Sequence, residues 1–255
     1  MADLAVLVPS RGRPHNIERL NEAMAKTCRG DTELIVGLDD DDPTYDAYWD
    51  LMWGPSAGGW TIVSQPDLRG RLVEWLNRMA VAEVEDSAKF VGHIGDDNLP
   101  QTDGWDVRIM ESLERQGDIG FCFANDLDPG RPPGSLSIHI FMTAEVVRRL
   151  GYMGPPSIQH MYVDPTWFAW GTATSIEFLE DVHIPHLHYS LGHAPMDESY
   201  HHSTGLIPED CARYNDYCED PAGMNADIVK LGGRPFSAEA MAEFNARLNI
   251  PRRWA

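Results

Sequence analysis

The chain has 255 residues, 43% of them hydrophobic and 24% charged, enough to bury the core of one domain. Its 40 acidic against 20 basic residues give a formal charge of −20, which speaks against direct nucleic-acid binding along phosphates. No stretch approaches the roughly 18 apolar residues of a spanning helix, and Met1-Ala2-Asp3 lacks a basic leader, so a soluble, unprocessed chain without a membrane partner is expected.

Leu4–Val8 is a short apolar run ended by the loop Pro9-Ser-Arg-Gly-Arg-Pro14, a strand and then a turn. Pro14 opens a helix with Ile17, Leu20 and Met24 on one face. Glu33–Leu38 reads as a second strand running into Asp39–Asp42, with a helix near Tyr45 to Trp53. Trp60–Ser64 is a third strand. Leu72, Trp75, Leu76, Met79 and Ala80 then repeat at amphipathic-helix spacing. Phe90–Ile94 is a buried strand whose tip carries Asp96-Asp97-Asn98 before Pro100 stops it. A helix from Trp105 to Gln116 follows, capped by Asp103 or Thr102 and ended by Gly117. Such alternation predicts a mostly parallel, helix-covered sheet.

After Asp118 the pattern changes. Gly120–Ala124 and Leu136–Phe141 look like strands around the loop 126–134, and Thr143 can cap a short helix ending at Gly151. An aromatic stretch from Tyr162 to Gly171 precedes a strand-like Val182–His188. The tail from Ala194 reads as charged loops with one helix, Ser237–Leu248. The four cysteines are scattered without C-x-x-C spacing, as in reduced, cytoplasmic proteins.

The acidic tip is the most telling feature. Two carboxylates about 4 Å apart repel by roughly 4 kcal/mol at an effective dielectric of 20. A divalent cation relieves that repulsion, and oxygen ligands suit magnesium or manganese. Strand tips of open α/β sheets are also where such folds take ligands. Arg11 and Arg13 follow strand one, and Arg69 and Arg71 flank Gly70 before the third helix. Two Arg-Gly-Arg triplets at one sheet edge suit phosphate contact. His186 and His188 stand two apart, on one face if extended, and form a candidate ligand pair. Asp39–Asp42 is not an EF-hand, since Thr44 and Asp50 occupy the positions needing Gly and Glu.

Val6–Pro14, Asp96-Asp97-Asn98-Leu99-Pro100 and Gly104-Trp105, in this order, resemble GT-A-type glycosyltransferases of the family-2-like group. The resemblance implies a GT-A-like, Rossmann-related α/β fold: a mostly parallel central sheet, helices on both faces, and a mixed C-terminal acceptor region. Residues 1–117 would be the nucleotide-sugar half, 118–193 the acceptor and metal half of the same domain, and 194–255 an extension. It further implies Mn2+ or Mg2+ and a nucleotide-sugar donor, a UDP-sugar foremost. The acidic tip would be the metal motif, with Gly95 in place of a first Asp, Asp97 on the metal and Asp96 near ribose. Pro9, Ser10, Arg11, Arg13, Arg69 and Arg71 would face the nucleotide, and Asp39 or Asp40 the base or ribose. One of His186 and His188 would complete the metal site. The run His186-Leu-His188, Gly192, Asp197–Tyr200 has a phage-like look, which would put the chain in a host cytoplasm.

An inverting transferase needs a base for the acceptor hydroxyl, and Asp164 stands where the family places that residue, beside Trp167, Phe168 and Trp170. The acceptor, whether protein, glycan or small molecule, stays open. Two rivals are a metal-dependent hydrolase using the Asp pair and late histidines, and a non-catalytic nucleotide- or sugar-binding module. Gly54–Gly58 matches a serine-hydrolase elbow, but the expected helix-then-strand order around it is the reverse of what that elbow needs.

Overall fold

The computed structural model describes residues 2–53, 60–65, 68 and 71–252. Arg69 and Gly54–Gly58 lie outside the described residues. The central strand β1 (Leu4–Ser10) is buried along nearly its whole length. It pairs in parallel with β2 (Thr32–Asp39) on one side and β4 (Phe90–His93) on the other. β3 (Trp60–Gln65) extends the sheet beyond β2, also in parallel. Beyond β4 come β6 (Ile140–Thr143), antiparallel to both its neighbours, then β5 (Phe121–Asn125) and β7 (Ile176–His183), which are parallel to each other. The order is β3-β2-β1-β4-β6-β5-β7, a mostly parallel sheet as expected.

Alternate residues of β1 explain its continuous apolarity. Leu4, Val6 and Val8 join a core with α1 (Pro14–Thr27) and α4 (Trp105–Gln116). Ala5 and Leu7 join the opposite core, built with α3 (Leu72–Glu85) and α6 (Val163–Ala173). A strand covered on both faces has no polar side to show, so its run is unbroken. α2 (Tyr45–Trp53) and α5 (Ala144–Leu150) complete this part.

Gly92 on β4 permits the close seating of Phe141 from β6. A Cβ at Gly92 would lie 2.1 Å from Phe141 Cδ1. Gly92→Ala is therefore expected to destabilise the fold by about 1–3 kcal/mol, the usual cost of overpacking. Urea unfolding should show a lower midpoint with an unchanged slope; an unaltered midpoint would mean that the ring moves aside freely.

Several sequence expectations need correction. The strand expected at Leu136–Phe141 is shorter and later, Ile140–Thr143, because only these residues pair with β4. The last strand runs from Ile176 to His183, not from Val182 to His188. Helix α4 is entered through Gly104 in the left-handed region, at φ 69°, with no side-chain cap from Asp103 or Thr102. Thr102 Oγ1 instead accepts the His183 backbone N–H at 2.8 Å. The tail carries α7 (Glu198–Gly205), α8 (Ile207–Glu219) and α9 (Met224–Lys230) as well as the foreseen α10 (Ala238–Arg247). Tyr214, Tyr217, Met224, Ile228 and Phe244 from these helices pack into the α3–α6 core. No helix among the described residues is long and apolar enough to cross a membrane.

Candidate active site

Because β1, β2 and β4 are parallel, their C-terminal ends lie along one edge of the sheet. The loops that leave them carry Pro9 to Arg13, Asp39 and Asp96 to Asn98 to one cleft of about 500 Å³. The far wall comes from the start of α6, the segment after β7, and α7.

Asp96 is held by a relay. The Arg13 backbone N–H donates to Tyr48 Oη at 2.9 Å, and Tyr48 Oη lies 2.9 Å from Ser10 Oγ. Ser10 Oγ in turn donates to Asp96 Oδ2 at 2.6 Å. Arg13 Nη1 donates to Asp96 Oδ1 at 3.0 Å. Burial raises the Asp96 carboxyl above its ordinary value; Arg13 pulls it down, and the neighbouring Asp97 charge adds to the rise. Arg13 also grips Asp197 through two bonds of 2.7 and 2.8 Å, and its guanidinium lies 3.9 Å over the Tyr200 ring. The whole side chain is thereby fixed.

Asp97 is the meeting point of three elements. Its Oδ2 lies 3.2 Å from His186 Nε2 and accepts the Tyr200 hydroxyl at 2.8 Å. Its backbone carbonyl accepts the Leu187 N–H at 2.8 Å, within a bridge that pairs Asn98 with His186. Burial would raise the Asp97 carboxyl, but His186, Tyr200 and Arg13 together hold it well below the carboxylate range. Contrary to the strand expected from their spacing, His186 and His188 follow β7 in an irregular segment, yet both come to Asp97. Ligand atoms of Asp97, His186 and His188 all lie within 4.8 Å of one another. His188 Nδ1 lies 2.8 Å from Ser190 Oγ and accepts the Ser190 backbone N–H, which fixes the ring.

The remaining predicted residues separate. Arg11 lines the cleft and is bound to Asp39 at 3.1 Å and to Asp41 at 2.5 Å. Asp39 is buried and also accepts Trp75 Nε1–H at 2.8 Å. Asp40 is exposed and does not line the cleft, since successive side chains face opposite ways at a strand end. Arg71 lines the cleft, tied at 2.9 Å to Glu74. Pro9 and Ser10 form its floor near Asp96.

Asp164 stands in the first turn of α6, and burial pushes its carboxyl up to about 7 against the pull of Arg131 and His186. The loop that delivers α6 is anchored from the tail. Buried Asp210 on α8 accepts the backbone N–H groups of Gln159, His160 and Met161 at 3.1, 2.8 and 2.8 Å. The sequence reading missed this anchor and the roles of Asp197 and Tyr200; the signal available was the Asp197–Tyr200 motif itself.

No protein-family model matches the sequence, and no curated protein sequence matches it. Solved structures do match in fold. TarS residues 1–349 from S. aureus aligns with TM-score 0.56 at 11% identity, over 96% of this chain and 82% of that one. A mannosyltransferase from Pyrobaculum calidifontis, in complex with GDP-Man and Mn2+, gives 0.55 at 13% identity, over 98% and 81%. Glucosyl-3-phosphoglycerate synthase from Mycobacterium tuberculosis, in complex with Mn2+, UDP and glucosyl-3-phosphoglycerate, gives 0.54 at 16%, over 83% and 80%. The architecture of this chain is accordingly the GT-A-like α/β fold.

Proposed function

We propose that this chain is a metal-dependent glycosyltransferase, moving a sugar from a nucleotide-diphosphate donor to an acceptor hydroxyl. The observation that carries this reading is the convergence of Asp97, His186 and His188 at a strand tip, in one cleft with Arg13 and Asp164. One carboxylate oxygen and two imidazole nitrogens make a mixed donor set that fits Mn2+ better than oxygen-seeking Mg2+. A cation held there supplies Lewis-acid stabilisation of the charge on the departing diphosphate.

The other roles belong to the chain itself. Arg11 and Arg71 face the donor phosphates from the same cleft, and Asp39 takes the base or ribose. Arg13, braced by Asp96 and Asp197, offsets the mutual repulsion of the cleft's acidic edge. Asp164 accepts the proton of the acceptor hydroxyl as the new bond forms. A uridine diphosphate sugar is the first donor to try.

The test is a nucleotide-sugar panel read by thermal shift and by nucleotide release. With Mn2+, one donor at a hundredfold its Kd is expected to raise Tm by about 5 °C or more, from roughly 2.7 kcal/mol of linkage. The shift should be smaller with Mg2+ and absent in EDTA. No shift with any donor in any metal would overturn the reading. Turnover without a donor would instead assign a hydrolase, and binding without transfer or donor hydrolysis a binding module.

A further inference from the structure

Besides the acidic tip and the arginines, the cleft is lined by His93, Asn98, His160 and Asp164. His93 sits at the end of β4, four residues before Asp97. Its Nδ1 lies 3.0 Å from the Leu7 carbonyl oxygen, which can only accept, so Nδ1 carries the proton. In the neutral ring Nε2 is therefore a hydrogen-bond acceptor, and burial keeps the ring neutral by pushing its pKa down to about 4. His160 is likewise pushed by burial to about 4, and its Nδ1 is buried without a partner among the described residues.

Asn98, 2% exposed, spends its Oδ1 on the Gly95 N–H at 2.7 Å, while its Nδ2 is buried with no partner among the described residues. An orphaned amide donor of this kind asks for an acceptor from a ligand or water. Among the described residues the arginines in and beside the cleft are committed: Arg11 lies on Asp39 and Asp41, Arg13 on Asp96 and Asp197, Arg71 on Glu74, and Arg131 on Asp126 and Asp128. Asp164 adds a carboxyl that feels the pull of Arg131 and His186.

Resting on the glycosyltransferase reading, we propose that His93, Asn98 and Asp164 face the donor sugar and make the cleft selective for uncharged, hydroxyl-bearing sugars over uronic acids. A hydroxyl both donates and accepts, so it satisfies His93 Nε2 and Asn98 Nδ2 in turn. A sugar carboxylate can only accept; it would meet the His93 lone pair and the Asp164 charge, while among the described residues every arginine lining the cleft is already paired with a carboxylate. The site next to the Asp97 cluster is also where the ring bonded to a bound diphosphate must lie.

The experiment is calorimetry at pH 8 with Mn2+, using UDP, UDP-glucose and UDP-glucuronate, and the GDP-mannose and GDP-mannuronate pair. UDP-glucuronate, or the mannuronate donor, is expected to bind about tenfold or more weakly than its neutral counterpart. In Asp164→Asn, checked for an unchanged melting profile, that ratio should shrink toward unity. Equal or tighter uronate binding in the wild type would overturn the proposal, as would a ratio untouched by Asp164→Asn. The wild-type comparison stands even if the variant fails to fold. Absence of any nucleotide binding would overturn the transferase reading along with it, whereas UDP binding without sugar discrimination would overturn the subsite alone.

Discussion

Replacing Asp97 by alanine is expected to cut kcat/KM for sugar transfer about a thousandfold. Lewis-acid stabilisation of a leaving diphosphate amounts to several kcal/mol, and each 1.36 kcal/mol is tenfold in rate. Asp97 supplies the one carboxylate in the cluster with His186 and His188. Its removal also strands the Tyr200 hydroxyl and His186 Nε2, which now share its Oδ2. The fold should survive, because the tip is secured through backbone bonds, Leu187 N–H to the residue-97 carbonyl among them. Steady-state kinetics beside a melting curve decide the matter. Unchanged turnover in a folded variant would remove the metal role from this residue.

Asp164→Asn is the second large effect, a loss of about 10²–10⁴ in kcat if this carboxylate is the general base. Burial raises its pKa to about 7, so the proton-accepting form is scarce below that value and dominant above it. Wild-type kcat should therefore climb through neutral pH and level off on the alkaline side. The asparagine variant, isosteric but unable to accept a proton, should be slow and flat across the same range. A variant that kept both its rate and the rising limb would place proton acceptance elsewhere, or point to a retaining transfer that needs no such base.

The half of the fold before residue 118 was legible because its signals are local. β1, β2 and β4 are covered on both faces, so their apolar runs stand out, and α1, α3 and α4 show a buried stripe at helical spacing. β7 was misplaced because it is an edge strand, part-exposed and carrying Glu177, Glu180 and Asp181. An edge of that kind carries charges where a central strand carries valines, and the more apolar residues just after it drew the reading too late. Helix α7 is hidden for a related reason: it buries only Tyr200, which leaves no stripe to recognise.

The site divided along the same line. Asp96, Asp97 and the arginines of the first loop were visible as short motifs at strand ends. Which of Asp39 and Asp40 faces inward was not, since it depends on the last half-turn of β2. The clamp of Asp197 on Arg13 and of Tyr200 on Asp97 spans 184 and 103 residues. No spacing rule reaches that far. From the tail, α7 contributes to the cleft wall, and α8 anchors, through Asp210, the segment 159–161 that leads into α6 and Asp164.

Anomalous diffraction at the manganese edge, from crystals grown with MnCl2 and UDP, addresses the central claim most directly. The account predicts one strong peak within bonding distance of Asp97, His186 and His188, with the diphosphate on its open side. A peak elsewhere, or nucleotide bound with no metal at that cluster, would contradict it.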